Sequence, residues 1–335
     1  MSAAEPGGDP VVERVSIARA LNLGLRAAME REPKVLVMGE DVGALGGVFR
    51  VTEGLAKDFG EERVVDTPLA EAGIVGTAIG LAMRGYRPVC EIQFDGFVFP
   101  AYDQIVTQLA KMTHRSRGAL PMPVVIRIPY GGGIGAVEHH SESPEALFAH
   151  TTGLRCVSPS NAVDAYWMIQ QAIESPDPVI FFEPKRHYWD KAELDPAAEP
   201  YPLHRSRVAR RGDDVTVVAY GPTVPLALRA AEAAEQEGRS LEVVDLRTLS
   251  PLDLGPVEES VRRTGRLVVA HEAPVFLGLG AEVAARVAES CFYSLEAPVL
   301  RVGGFSVPYP AARVEEDYLP DVDRLLEAVD RVLAG

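Results

Sequence analysis

The chain has 335 residues, 47% of them hydrophobic and 24% charged, and carries a net charge of −15. That is the composition of a globular protein long enough for two domains. The acidic balance excludes a broad nucleic-acid-binding face, and no charge-free apolar run reaches the ~18 residues of a membrane span. Three scattered cysteines, Cys90, Cys156 and Cys291, form no CxxC pair and read as buried thiols of a cytoplasmic protein.

Residues 1–12 are polar and rich in Pro and Gly, resembling neither a signal nor a transit peptide, and are expected to be a disordered arm. From there strands and helices alternate. Residues 14–31 have helical periodicity, 35–41 (VLVMGED) form a buried strand, and 43–49 (GALGGVF) a glycine-rich loop. A helix is expected at about 69–84, a strand at 86–94, a helix at 101–112 after Pro100, and a strand at 123–129. A long glycine-rich loop over 130–143 follows. Residues 154–160 read as a strand and turn. Ser160 or Asn161 then caps a helix reaching about Glu174, and 178–184 is a strand. Residues 191–206 are Pro-rich and aperiodic, as in an inter-domain linker. Strands at 214–220, 241–247, 266–272 and 298–304 then alternate with helices at 223–238, 254–263, 279–291 and 322–333. The pattern implies two α/β sandwich domains with mainly parallel sheets, over 13–190 and 207–335.

The stretch TPLAEAGIVGTAIGLAMRG, 67–85, places one acid, Glu71, in an otherwise small and apolar helix. With Thr67 as N-cap and Pro68 at the first helical position, Glu71 falls one residue beyond a capping-box acid. Complementing the helix dipole, worth roughly 0.3–1 kcal/mol, is the bland explanation. EHHSES, 138–143, sets two of the chain's seven histidines, His139 and His140, side by side in a loop. Such loops follow strands where α/β folds place their sites, and an imidazole titrates near neutrality. Against this, both histidines also read as surface residues before a helix capped by Ser143. EIQFDGFVFPAYDQ, 91–104, carries Gln93, Asp95 and Phe97, and HEAP, 271–274, reads as an interface or structural segment. The chain has no GxGxxG after its first strand, no P-loop, no HExxH, no Cys/His metal cluster and no GxSxG.

Taken together, GEDVG…GGVF (39–49), DTPLAEAGIVGTAIGLA (66–82), EIQFDGFVFPAYDQI (91–105), HHSESPEALFAH (139–150), FFEPK (181–185), DLRTLSPLD (245–253) and HEAP (271–274) resemble one family. It is that of the β subunits of thiamine-diphosphate-dependent 2-oxoacid dehydrogenases. The resemblance implies a pyrimidine-binding domain followed by a transketolase C-terminal-like domain. It implies that Glu71 meets the ring nitrogen of the cofactor's aminopyrimidine, in an apolar place where desolvation outweighs the helix dipole. Leu69 is implied to offer its carbonyl to the pyrimidine amine, Phe97 to stack on the ring, and Gln93 to lie nearby. His140, rather than His139, is implied to act in reductive acylation of a lipoyl group. Ala172, Ile173 and Asp177 resemble a structural potassium site. The chain lacks the GDG motif that holds magnesium and diphosphate, so that half of the cofactor is expected on an α subunit. An α₂β₂ heterotetramer docked on a lipoyl acyltransferase core is implied. HHSESPEALFAH and FFEPK look more like branched-chain than pyruvate members, with pyruvate and acetoin enzymes as alternatives. The rivals of other classes are a self-sufficient transketolase, which would need the GDG motif, and a non-catalytic α/β scaffold.

Overall fold

A computed structural model describes residues 12–335, so the arm expected over residues 1–12 lies, apart from Val12, outside the described residues. In chain order the first part forms β1 (Glu13–Ser16), α1 (Ile17–Arg31), β2 (Val35–Gly39), α2 (Leu55–Phe59), β3 (Val64–Asp66), α3 (Glu71–Met83) and β4 (Arg87–Glu91). It continues with α4 (Ala110–Arg115), β5 (Val125–Tyr130), α5 (Glu145–Ala149), β6 (Arg155–Val157), α6 (Ala162–Glu174) and β7 (Val179–Pro184). The second part adds β8 (Lys191–Leu194), β9 (Arg207–Arg210), β10 (Val215–Ala219), α7 (Thr223–Gln236), β11 (Leu241–Asp245), β12 (Thr248–Ser250) and α8 (Gly255–Thr264). It ends with β13 (Leu267–Pro274), α9 (Leu279–Ser290), β14 (Leu300–Gly304), α10 (Glu315–Tyr318) and α11 (Val322–Ala334).

The sheets are mainly parallel. A seven-stranded sheet runs in the order β12-β6-β7-β5-β4-β2-β3, and a five-stranded sheet in the order β14-β13-β10-β11-β9. β12 is antiparallel to β6, and β9 is antiparallel to β11. The central strands β2, β5, β7, β10 and β11 are buried along their whole length, which explains why they are mainly apolar, with Arg127 on β5 and Glu183 on β7 buried as an ion pair.

Several elements differ from the sequence reading. The helix expected over 14–31 begins at Ile17. Ser16 caps it, its hydroxyl accepting the Arg19 N–H at 3.2 Å, and the residues before it pair as β1 with β8. The expected linker 191–206 therefore starts with a strand. The helix expected at 101–112 is irregular: Asp95–Ala101 is a 3-10 turn containing Pro100, Gln104–Leu109 is π-helical, and only Ala110–Arg115 is α. Pro100 has no N–H to give a helical ladder, in keeping with the 3-10 turn at the start of this stretch. Of the two proposed caps before α6, Asn161 serves: its side chain accepts the Asp164 N–H at 2.9 Å, while the Ser160 hydroxyl donates to Asp245 at 2.6 Å.

The two sheets share one core. An apolar cluster on one face of the first sheet, with Ile74, Ile105, Ile126 and Phe182, runs on through Val218, Leu246, Leu249 and Val269 of the second unit. The opposite face of the first sheet packs against α1 and α6, through Leu21, Leu25, Met168 and Ile169. A third cluster joins α7 and α11 to the second sheet. Polar links reinforce the junction. Asp164 binds Arg207 at 2.6 Å and Arg247 at 3.1 Å, and the Tyr220 hydroxyl donates to Glu145 at 2.6 Å.

Candidate active site

The site residues gather at the carboxyl ends of β2 and β4, where an open parallel sheet leaves a crevice. Thr67 does not cap α3. Its hydroxyl oxygen has no hydrogen-bond partner, and its N–H extends the sheet by donating to the Gly39 carbonyl at 2.9 Å. The N-cap is Ala70, without a side-chain bond, so Glu71 occupies the first helical position. Its carboxylate therefore stands at the positive end of the helix dipole and is 7% exposed.

Glu71 faces a second carboxyl that was not singled out from sequence. Glu40, just past β2, is 8% exposed, and its Oε1 has no hydrogen-bond partner. Burial, then the facing Glu71 carboxylate, then Asp41, push the Glu40 carboxyl above its ordinary range, while the Ala70 N–H pulls the other way. The acids that end VLVMGED were its only sequence signal. Gln93 is tied into the same corner: its Nε2 donates to Asp41 Oδ2 at 3.1 Å and to the Glu40 carbonyl at 3.4 Å. Leu69 is 81% exposed just before the helix.

Phe97 stands on the 3-10 turn that packs against α3, and the same turn packs against the short turn Glu138–His140. The His140 ring lies stacked on Phe94, with centroids 4.0 Å apart and planes at 14°, and meets the Phe97 edge at 5.1 Å. His140 Nδ1 lies 2.8 Å from the His139 carbonyl. A carbonyl only accepts, so this contact puts the proton on Nδ1 and leaves Nε2 free to take one. His139 instead holds a half-exposed ring 3.7 Å from Glu138, and its backbone packs on Gly96. A Cβ at Gly96 would lie 2.4 Å from the His139 carbonyl oxygen, so the turn approaches this closely only over glycine. Ser143 caps nothing; α5 starts at Glu145 behind Pro144.

The floor beneath is a buried ion cluster. Arg127 on β5 binds Glu91 on β4 at 2.5 Å and Glu183 on β7 at 2.6 Å, and the Tyr188 hydroxyl donates to Glu183 at 2.5 Å. The two carboxylates hold the guanidinium charged despite its burial.

Ala172, Ile173 and Asp177 are not part of this assembly. They lie at and beyond the end of α6, on the opposite face of the sheet. The Ile173 carbonyl accepts Arg87 Nη1 at 2.7 Å, and the Asp177 carboxylate accepts Arg155 at 2.8 and 3.0 Å. These oxygens already meet guanidinium groups, so the donor set does not fit a potassium ion, which would be repelled by both. Among the described residues no cluster of three or more His, Cys, Asp or Glu could hold a metal. His271 is fully buried, bonded through Nδ1 to the Ala273 carbonyl at 2.9 Å, and lies away from the crevice.

Residues 13–190 match the family described as transketolase, pyrimidine binding domain, and residues 204–325 match transketolase, C-terminal domain. The chain is 67% identical, over 99% of its length and 98% of the relative's, to the pyruvate dehydrogenase E1 component subunit beta of Leifsonia xyli subsp. xyli. It is 54% identical, over 96% and 93%, to the 3-methyl-2-oxobutanoate dehydrogenase subunit beta of Mycobacterium tuberculosis. Its fold is shared with a split gene transketolase, solved as an inactive beta4 tetramer, at a TM-score of 0.76 and 24% identity, covering 96% of this chain and 98% of that one.

Proposed function

The chain belongs to the family of 2-oxoacid dehydrogenase E1 β subunits, thiamine-dependent enzymes that work with an α subunit, and from that premise we propose that it carries the pyrimidine half of thiamine diphosphate in an α₂β₂ heterotetramer. The reaction proposed is oxidative decarboxylation of branched-chain 2-oxoacids with reductive acylation of a lipoyl group on an acyltransferase core. The observation that carries the reading is the buried Glu71 carboxylate at the start of α3, beside the unpartnered Glu40 Oε1.

These residues fit an aminopyrimidine. Burial and the facing Glu71 carboxylate push the Glu40 carboxyl upward, and Glu71 stands beside it at the helix N-terminus, so the two offer carboxyl groups to a ring nitrogen. Leu69, exposed before the helix, offers a carbonyl to the exocyclic amine. The half-buried Phe97 offers an aromatic face for stacking. Gln93 keeps Asp41 and Glu40 in register. When bound, thiamine diphosphate supplies the electron sink for loss of carbon dioxide. His140, with Nδ1–H tied to its neighbour's carbonyl, presents Nε2 to move a proton during acyl transfer. Magnesium and diphosphate are assigned to the α subunit, because no GDG run is present here. Three buried free cysteines support a reducing, cytoplasmic setting.

Pyruvate is the second reading, favoured by the name of the 67%-identical relative. The experiment combines the purified chain with its candidate α subunit, thiamine diphosphate and magnesium, and follows decarboxylation of 2-oxoisovalerate and of pyruvate with an artificial electron acceptor. Turnover that needs both chains and runs faster on the branched acid is expected. Equal or faster turnover of pyruvate would move the substrate assignment, and turnover by the β chain alone would overturn the division of the cofactor.

A further inference from the structure

The glycine-rich loop that carries His139 and His140 is gripped by the second unit. Its ends meet: the Gly131 N–H donates to the Glu142 carbonyl at 3.0 Å, and the Glu142 N–H donates to Asp95 Oδ2 at 2.9 Å. Asp95 is itself fixed by Lys185 Nζ at 2.6 Å, with both side chains fully buried. Between these ends the glycine limb, 131–135, has no strand or helix to use its amides. Those of Gly132, Gly133 and Gly135 point instead at two carboxylates from the other unit.

The Gly132 N–H donates to Glu272 at the end of β13. The Gly133 N–H donates to Glu315 Oε1 at 2.8 Å, and the Gly135 N–H donates to Glu315 Oε2 at 2.9 Å. The Tyr309 hydroxyl donates to Glu315 Oε1 at 2.6 Å. Glu315 opens α10 and is 4% exposed. The approach is close enough that a Cβ at Gly132 would lie 1.7 Å from the Tyr309 hydroxyl oxygen. The alternate N–H groups of Gly133 and Gly135 thus cradle the Glu315 carboxylate, with a bond on each oxygen. Glycines are the residues that lose most freedom on ordering, so such a limb keeps one shape only where its amides are held.

We infer that Glu315 is a positioning residue: by holding the Gly133 and Gly135 amides it fixes the loop on which His140 stands, and so sets the geometry of acyl transfer without touching the reacting atoms. The acyl-transfer part rests on the proposed function; the grip on the loop rests on the contacts alone. A purely structural Glu315 would affect every step of the enzyme alike. A positioning Glu315 separates the step that uses His140 from the step that does not.

The test uses the complete heteromer with Glu315→Gln, and with Tyr309→Phe, which leaves both amide contacts and keeps the question open should Glu315→Gln not fold. Three quantities are read: amide hydrogen exchange across residues 131–142, decarboxylation into an artificial electron acceptor, and acyl transfer to a lipoylated domain. For Glu315→Gln, exchange in the glycine limb should rise roughly tenfold and kcat for acyl transfer fall roughly tenfold, since small misplacements of a reacting group cost this much or more. KM for the lipoylated domain and the decarboxylation rate should stay within about twofold. Tyr309→Phe should move both quantities the same way, by less. Faster exchange with an unchanged ratio of the two rates would overturn positioning, and unchanged exchange would overturn the grip. An unsubstituted heteromer with a protected loop and no acyl transfer would overturn the proposed function, and the role of Glu315 with it.

Discussion

His140 lies flat on Phe94, ring centroids 4.0 Å apart and planes at 14°, while its Nδ1 is tied to the carbonyl of His139. One contact fixes the plane of the imidazole and the other its tautomer. His140→Ala should therefore lower acyl transfer to a lipoylated domain by roughly 10²–10⁴-fold, the range for losing a general acid or base. Decarboxylation with an artificial acceptor should change far less. His139→Ala should leave both rates within a few fold. Parallel assays of the two half-reactions decide between the histidines.

Glu71→Ala should abolish turnover while the heteromer still assembles, as judged by size-exclusion chromatography. A scaffold would keep its function. Glu40→Gln is the sharper probe. It keeps the shape of the side chain and removes the one carboxyl that burial and the facing Glu71 push upward, so turnover should fall while the heteromer still assembles. Undiminished turnover would separate Glu40 from the reaction.

Two buried groups titrate in opposite senses. Burial pulls His271 down from 6.5 to about 4, so its stabilising effect is whole above pH 6.5 and lost as pH falls through 4. Burial pushes Glu145 up from 4.5 to about 7, so its contribution is whole below pH 4.5 and lost as pH rises through 7. Between pH 4.5 and 6.5 the two slopes, each about 1.4 kcal/mol per pH unit at most, oppose each other. Relative to the unsubstituted chain, Glu145→Gln should make stability rise with pH in that window, and His271→Gln should make it fall. Thermal unfolding across the window reads both.

Arg127 is fully buried between Glu91 and Glu183 on the neighbouring strands. Arg127→Ala strands two carboxylates in the core and should cost about 3–5 kcal/mol. Adding Glu91→Gln and Glu183→Gln to Arg127→Met should recover much of that loss, since uncharged isosteres need no counter-ion. Denaturant unfolding of the single and triple variants tests this.

The outer face of α3 exposes Gly73, Gly76, Thr77 and Gly80, and a Cβ at Gly76 or Gly80 would meet nothing within 4 Å. In the lone chain Gly76→Leu is thus tolerated. If the α subunit packs closely on this helix, the variant should fold normally and fail to form the heteromer. A heteromer of undiminished yield would move the contact elsewhere.

The local parts of this architecture were legible. Asn161 announced α6 because capping depends on residues three apart, and the acid of LAEAG, the glutamine of EIQF and the paired histidines lay in short motifs. What escaped needs distant partners. Thr67 looked like a cap, but its N–H pairs with the Gly39 carbonyl as part of the sheet and the helix starts only behind Ala70. Glu40 acquired meaning only once α3 brought Glu71 against it. Ile173 looked like a cation ligand until Arg87, 86 residues away, took its carbonyl. Glu315 stands 182 residues from the Gly133 amide it accepts.

The short strand β12 belongs by sequence to the second unit, yet it pairs antiparallel with β6 at the rim of the first sheet. The two halves are therefore laced, and the Pro-rich segment between them is not a natural place to divide the gene. A fragment ending near residue 206 would leave β6 as a bare edge, with unpaired amides and carbonyls ready to recruit a strand from another molecule. Such a fragment should self-associate. A fission point after Ser250 would leave the lacing strand with its sheet, at the expense of interrupting the second unit between β11 and α8.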